Sequence, residues 1–223
     1  FHNAGAFTPF SYQEEGQPPK STIQFPGGTG GVNWGGAAAD PTTGYVYVNA
    51  HDTSLVGWIE ARRPGLNYGN GVAGTRTPYD RGSVNGAGPY FTFSAPFKDS
   101  TGRTLANLPC QRPPWGRLTA VNANTGETAW EVPPGLTEVL PEGKQLTGNS
   151  GSAGPTVTAG GLVFVGATSD RRLRAFDSKS GKELWSTRLD AQVNANPMTY
   201  RGKNGKQYVA AVATDQLVVF ALP

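Results

Sequence analysis

The chain has 223 residues and a formal net charge of +3, with no basic run longer than pairs such as Arg171-Arg172. That balance speaks against a nucleic-acid surface, and no window approaches the roughly 20 apolar residues that a membrane-crossing helix needs. Gly 31 and Pro 18 make about a fifth of the residues, which favours turns and strands, and no stretch sustains a helical apolar period. The chain begins at Phe1 without a Met or a signal peptide, as a processed chain or an excised piece would. The one cysteine, Cys110, has no internal disulfide partner and reads as a small buried or loop thiol.

In chain order, residues 1–20 read as coil or edge strand. A short strand is expected from Thr22 to Phe25, ended by Pro26-Gly27-Gly28. The glycine-rich run 27–31 is not followed by a helix, so a phosphate-cradling loop is rejected. Residues 34–39 and 45–49 alternate as two strands around a turn at Asp40-Pro41-Thr42-Thr43-Gly44. Residues 53–109 are the least regular part, and a long insert of that kind is usually functional or interface-forming. From Gly116 the rhythm becomes clean. Strands are expected near 117–123, 127–132, 154–158, 162–168, 172–176, 183–188, 193–200, 206–213 and 216–221. Turns fall at Gly160-Gly161, Ser169-Asp170 and Asn204-Gly205.

Two of these segments repeat. Residues 118–130 and 173–185 align 55 positions apart. A small residue (Ala120, Ala175), a polar turn residue (Asn122, Asp177), a hydroxyl (Thr125, Ser180), a glycine (Gly126, Gly181) and a tryptophan (Trp130, Trp185) all coincide. A strand-type unit repeated at such a period points to a propeller. The carboxylate of Asp177 can bond its own backbone and start a turn, and Gly181 can close it at positive φ. The next strand then carries Trp185 to a fixed depth, where the ring packs on a neighbouring sheet and the N–H finds a backbone partner. Leu217 to Phe220 aligns with Leu173 to Phe176, so the last blade should lack its outer strand. Residues 5–25 could complete it, as could a stretch outside this chain. An unfilled edge would invite pairing with another chain. The expected fold is all-β: four-stranded antiparallel blades with tryptophan-docking repeats, here a partial β-propeller of about four blades covering residues 1–223.

Six further motifs complete the pattern: Gln24-Phe25-Pro26-Gly27, Asn33-Trp34-Gly35-Gly36, Pro114-Trp115-Gly116-Arg117-Leu118, Gly154-Pro155-Thr156-Val157-Thr158-Ala159-Gly160, Asn196-Pro197-Met198-Thr199-Tyr200 and Gly205-Lys206-Gln207-Tyr208. With the two tryptophan repeats they resemble the dehydrogenases that depend on pyrroloquinoline quinone (PQQ), in particular the C-terminal part of the membrane-type quinoprotein glucose dehydrogenases. The resemblance is strong over 111–223, good over 7–49 and poor over 53–109. It implies an eight-bladed propeller with PQQ and Ca2+ near its axis, of which this chain is the second half. It implies oxidation of a sugar or alcohol, a quinone or cytochrome electron acceptor, and a periplasmic location with possible membrane association through an N-terminal part.

Residue by residue, the resemblance carries over Lys20 as a donor to the quinone oxygens and Asn49 as a cofactor contact, with Asn33 and Trp34 as weaker candidates. The ordinary readings are a solvated lysine, a turn-capping asparagine and a core tryptophan. Ser152 stands where some relatives have a larger side chain. The catalytic aspartate and the principal calcium ligands should lie upstream of Phe1, so no catalytic or metal-ligating residue is assigned here. Asp40 reads as a turn residue, Asp52 does not fit the base's motif, and His2 and His51 lack metal-ligand spacing. By itself the chain is expected neither to turn over substrate nor to bind PQQ tightly. Two alternatives stay open: a non-catalytic propeller scaffold for protein–protein interaction in the cell envelope, and assembly with a second copy instead of the missing half.

Overall fold

The computed structural model describes residues 1–14, 16–18, 20–27, 30–60, 90–149 and 151–221. Among them every regular element is a strand, and the chain divides into two compact units. Residues 1–28 and 53–111 form the first, residues 29–52 and 112–223 the second. Strands β1 (Tyr12–Gln13) and β2 (Thr22–Gln24) lie in the first unit, and β3 (Val32–Asp40) and β4 (Tyr45–His51) open the second. The chain returns to the first unit for β5 (Leu55–Gly57), β6 (Ile59–Glu60), β7 (Tyr90–Thr92), β8 (Ser94–Lys98) and β9 (Thr104–Pro109). The second unit then takes β10 (Gly116–Asn122), β11 (Thr128–Val132), β12 (Thr156–Val157), β13 (Leu162–Val165), β14 (Arg172–Asp177), β15 (Glu183–Arg188), β16 (Met198–Arg201), β17 (Gln207–Ala213) and β18 (Gln216–Ala221).

In the first unit, β1 runs parallel to β6, β2-β5-β7 form an antiparallel sheet, and β8 and β9 form a hairpin. The stretch that looked irregular in sequence thus carries five short strands, and residues 61–89 of it lie outside the described residues. Among the described residues of 5–25, none joins blade three, the last blade: β1 pairs with β6, and Thr22, Ile23 and Gln24 pair with Gly57, Val56 and Leu55.

The second unit holds three sheets of blade form, ordered β3-β4-β10-β11, β12-β13-β14-β15 and β16-β17-β18. We call them blades one to three. In blade one, β4 and β10 pair without a break from His51↔Gly116 to Tyr45↔Asn122, although the whole 52–115 stretch separates them in the chain. Period-two alternation buries one face of each strand. Tyr47, Leu118 and Ala120 of blade one meet Val163, Val165 and Phe176 of blade two in one core. Leu173 of blade two meets Val193, Ala211 and Ala213 in a second. Burial of this completeness contributes about 1.5–3 kcal/mol per Leu, Val or Phe side chain. Blade three has three strands among the described residues and ends on the edge strand β18.

The tryptophan repeat acts between blades. Trp130, on β11, donates its indole N–H to the carbonyl of Ser178 at 2.9 Å. The Tyr47 hydroxyl donates to the same carbonyl at 3.1 Å. The accepting turn is pinned by Asp177, whose Oδ1 takes the N–H groups of Lys179 (3.1 Å) and Ser180 (2.8 Å) and the Ser180 hydroxyl (2.7 Å). These hydrogen bonds, the Ser180 hydroxyl's first, hold the Asp177 carboxyl below the usual carboxylate range. Gly181 closes the turn at φ 71°, and a Cβ there would sit 2.5 Å from the Trp130 ring. Asn122 and Gly126 form the same turn in blade one, and Asp40 and Gly44 form a turn of the same span without a tryptophan after it, as expected. Trp185 meets the third blade differently. Its ring stands edge-on to Phe220, centroids 5.4 Å apart, beside an open apolar pocket of about 620 Å³ that also touches Phe164, Tyr208 and Val209.

Candidate functional site

The Asn33-Trp34-Gly35-Gly36 motif lies in β3, where Gly154 and Asn196, from the segments leading into blades two and three, reach it. The β3–β4 register jumps from Val32↔Ala50 to Ala37↔Val48. Four residues, Asn33 to Gly36, therefore bulge opposite a single residue, Asn49. Gly36 supplies a φ of 67°. Gly35 permits close approach, because a Cβ on it would lie 1.9 Å from the Gly154 nitrogen. The bulge puts Trp34 into solvent at 67% exposure, with its backbone N–H held by Asn33 Oδ1 at 2.7 Å. Asn33 and Trp34 thus stand on the bulge and Asn49 opposite it, which places three of the four candidate residues from sequence at one stretch of the β3–β4 ladder.

Asn49 is 3% exposed. Its Nδ2 donates to the carbonyls of Ala153 (2.9 Å) and Gly151 (3.4 Å), tying blade one to the segment that leads into blade two. Its Oδ1 is buried without a hydrogen-bond partner, and an unmet acceptor of this kind costs about 1–3 kcal/mol. Ser152, between those two carbonyls, is half-buried and accepts the Gly35 N–H at 3.3 Å. Lys20 belongs to the first unit. Its backbone N–H donates to Gln13 Oε1 at 3.0 Å, and its side chain is exposed.

The charged groups around the blades have their own partners. Arg117 pairs with Asp52 and, at 2.7 Å, with Glu131, and these contacts, the Asp52 hydrogen bond foremost, raise its pKa further. Burial lowers the His51 pKa, and the neighbouring Asp52 charge only partly offsets this. In blade two, Arg174 and Asp170 are 1% and 7% exposed and form a buried pair that also takes the Thr168 hydroxyl. Burial pushes the Asp170 carboxyl up, but the hydrogen bonds from Arg174, Thr168 and the Leu136 N–H win and hold it below its ordinary value. No group of three His, Cys, Asp or Glu residues is placed to hold a metal among the described residues.

Sequence reasoning missed two features. One is the Asp170–Arg174 pair, for which the i, i+4 spacing from a turn residue into β14 gave no signal. The other is Asn196. Its Nδ2 donates to the Gly35 carbonyl at 2.8 Å, and its Oδ1 accepts the Gly154 N–H at 2.7 Å. All three residues sit in quoted motifs, so the signal was present without a role attached.

Comparison with known proteins adds the decisive observation: the family described as PQQ, glucose/ethanol/alcohol dehydrogenase, beta-propeller domain, matches residues 1–209. The chain belongs to this family. Among curated members, the quinate/shikimate dehydrogenase (quinone) of Acinetobacter baylyi is 39% identical over 86% of this chain and 24% of its own length. The quinoprotein glucose dehydrogenase of Escherichia coli is 33% identical over 98% of this chain and 28% of its own length. The chain therefore spans about a quarter of the length of these PQQ-family relatives. Among solved structures, a europium-containing methanol dehydrogenase superposes with a TM-score of 0.55 at 26% identity, covering 83% of this chain and 25% of the other. A β-propeller domain of this family accounts for a chain whose regular elements, among the described residues, are all strands.

Proposed function

We propose that this chain is the C-terminal portion of a periplasmic quinoprotein dehydrogenase that oxidises a sugar or alcohol, and that its contribution is one face of the PQQ site. The observation that carries this reading is the Asn33–Gly36 bulge, which presents an exposed indole and stands in register opposite Asn49, whose buried amide oxygen has no hydrogen-bond partner. These residues fit a planar, polyanionic quinone. Trp34 offers a flat ring for stacking, Asn33 holds that ring's backbone in place, and Asn49 keeps the supporting carbonyls of residues 151 and 153 fixed. Lys20 supplies an exposed ammonium suited to negative charge on a quinone oxygen. PQQ, when bound, supplies the hydride acceptor. Calcium finds no such fit among the described residues, and no step is assigned to it.

The remaining parts of the reading come from the relatives. The Escherichia coli relative is named for glucose, and the Acinetobacter baylyi relative for quinate and shikimate and for a quinone acceptor. A substrate of the sugar or alcohol class and a quinone or cytochrome acceptor follow for the whole protein. The part of the protein outside this chain would supply the proton-accepting aspartate, so no turnover is expected of this chain by itself.

Two measurements test the reading. The chain is mixed with PQQ, Ca2+, a dye acceptor and glucose, glycerol or quinate. No turnover is expected, and robust turnover overturns the assignment as an incomplete site. PQQ is then titrated against tryptophan fluorescence. Weak saturable quenching that Trp34→Phe reduces is expected, and quenching unchanged by that substitution overturns Trp34 as part of the cofactor face.

A further inference from the structure

We infer that Asn196 is a positioning residue that latches the leading segments of all three blades together and so sets the conformation of the Asn33–Gly36 bulge. The inference rests on the cofactor reading above for its functional meaning, but its geometry stands alone. Asn196 precedes β16 and belongs to blade three. One arm of its amide reaches the Gly35 carbonyl in blade one at 2.8 Å. The other arm takes the N–H of Gly154, which leads into blade two, at 2.7 Å. A primary amide donates from its NH2 and accepts at its carbonyl oxygen, so one side chain can bridge a carbonyl and an N–H that face it from different segments.

The surroundings leave this link no slack. Gly35 and Gly154 are pressed together so closely that a Cβ on Gly154 would stand 2.2 Å from the Gly35 oxygen. The Gly35 N–H is bonded to Ser152 and its carbonyl to Asn196, so both backbone groups of the residue after Trp34 are fixed from other blades. Thr156 reinforces the seam by donating its hydroxyl to the Pro197 carbonyl. Trp34 itself is exposed, so its orientation depends on this backbone and not on packing of its ring.

The test separates the two arms. Asn196→Ala removes both. Asn196→Asp keeps an acceptor for the Gly154 N–H but loses the donor and sets a carboxylate against the Gly35 carbonyl. Asn204→Ala, in the exposed β16–β17 turn, is the control. Hydrogen exchange at the Gly154 amide should speed up about tenfold in Asn196→Ala and stay slow in Asn196→Asp, the scale expected for one net hydrogen bond. With 5-fluorotryptophan in the chain, the Trp34 resonance, assigned by its loss in Trp34→Phe, should shift in both Asn196 variants and stay put in the control. Should Asn196→Ala fail to fold, the Asp variant and its Trp34 resonance decide. The PQQ titration should weaken about tenfold in both variants. Wild-type exchange at Gly154 in Asn196→Ala, or an unmoved Trp34 resonance in Asn196→Asp, overturns the latch. If wild type shows no PQQ quenching, the cofactor reading falls, while the exchange and resonance data still judge the latch.

Discussion

The junction between blades one and two and the junction between blades two and three carry the same tryptophan and differ in what receives it. Trp130 finds a finished turn: a carbonyl for its N–H, a glycine beneath its ring and an aspartate that holds the turn rigid. Trp185 finds Phe220 and an open apolar pocket. The equivalent turn in blade three would begin at Ala221, and residues 222 and 223 lie outside the described residues. The contrast shows that the tryptophan is only half of the docking device. The Asx turn and its glycine are the other half, and without them the ring packs as an ordinary half-exposed aromatic.

Substitutions can break or sharpen this contrast. The largest effect is expected from blade two, which both junctions share. Asp170→Asn leaves the buried Arg174 with only the half-exposed Glu183 as countercharge, at 3.1 Å, and should lower stability by about 3 kcal/mol in urea unfolding; a loss under 1 kcal/mol would mean that the pair is not closed in solution. Close behind comes Trp130→Ala, also at about 3 kcal/mol, since both packing and the bond to Ser178 go. Gly181→Ala should cost about 2 kcal/mol through its positive φ and its contact with the same ring. Trp185→Ala should cost about 1 kcal/mol or less, because much of its surface stays in water. Equal losses at Trp130 and Trp185 would erase the distinction between the junctions.

The smallest effect is one of pH. The chain has two histidines, and only His51 lies in the blades. Burial lowers its pKa, so the folded state takes up a proton less readily than the unfolded chain. The stability gained by keeping it neutral is complete above its unfolded value of about 6.5 and is lost as pH falls through the lowered folded value. The unfolding midpoint should therefore drop between pH 7.5 and 5.5, and His51→Gln should flatten that slope.

The blade pattern was legible where a local rule wrote it. Asp177, Ser180, Gly181 and Trp185 each have a single-residue reason, and the strands from Gly116 onward fall within a few residues of their expected places. The pairing of β4 with β10 was not legible, because it joins segments more than 60 residues apart and no periodicity reports such a distance. In the first unit β2 stands where a strand was expected, but the strands within 53–109 were missed for another reason: four of the five are two to five residues long, too short for alternation to show. At the candidate site, Asn33, Trp34 and Asn49 came from resemblance, and the bulge that unites them followed from two adjacent glycines whose role depends on a neighbouring blade. Asn196 stayed hidden because its partners are backbone groups of Gly35 and Gly154, which carry no side-chain signature.

The seam where blade one is interrupted has a practical consequence. Asp52 donates its N–H to the Trp115 carbonyl at 3.0 Å, so the chain leaves the blade and rejoins it at adjacent points. Such an exit and re-entry make a graft point, where cargo of almost any length can be spliced in while the ladder on either side keeps its register. Replacing residues 53–114 by a short Asn-Gly hairpin would turn an interrupted blade into a continuous one, a minimal chassis onto which a different module could be mounted.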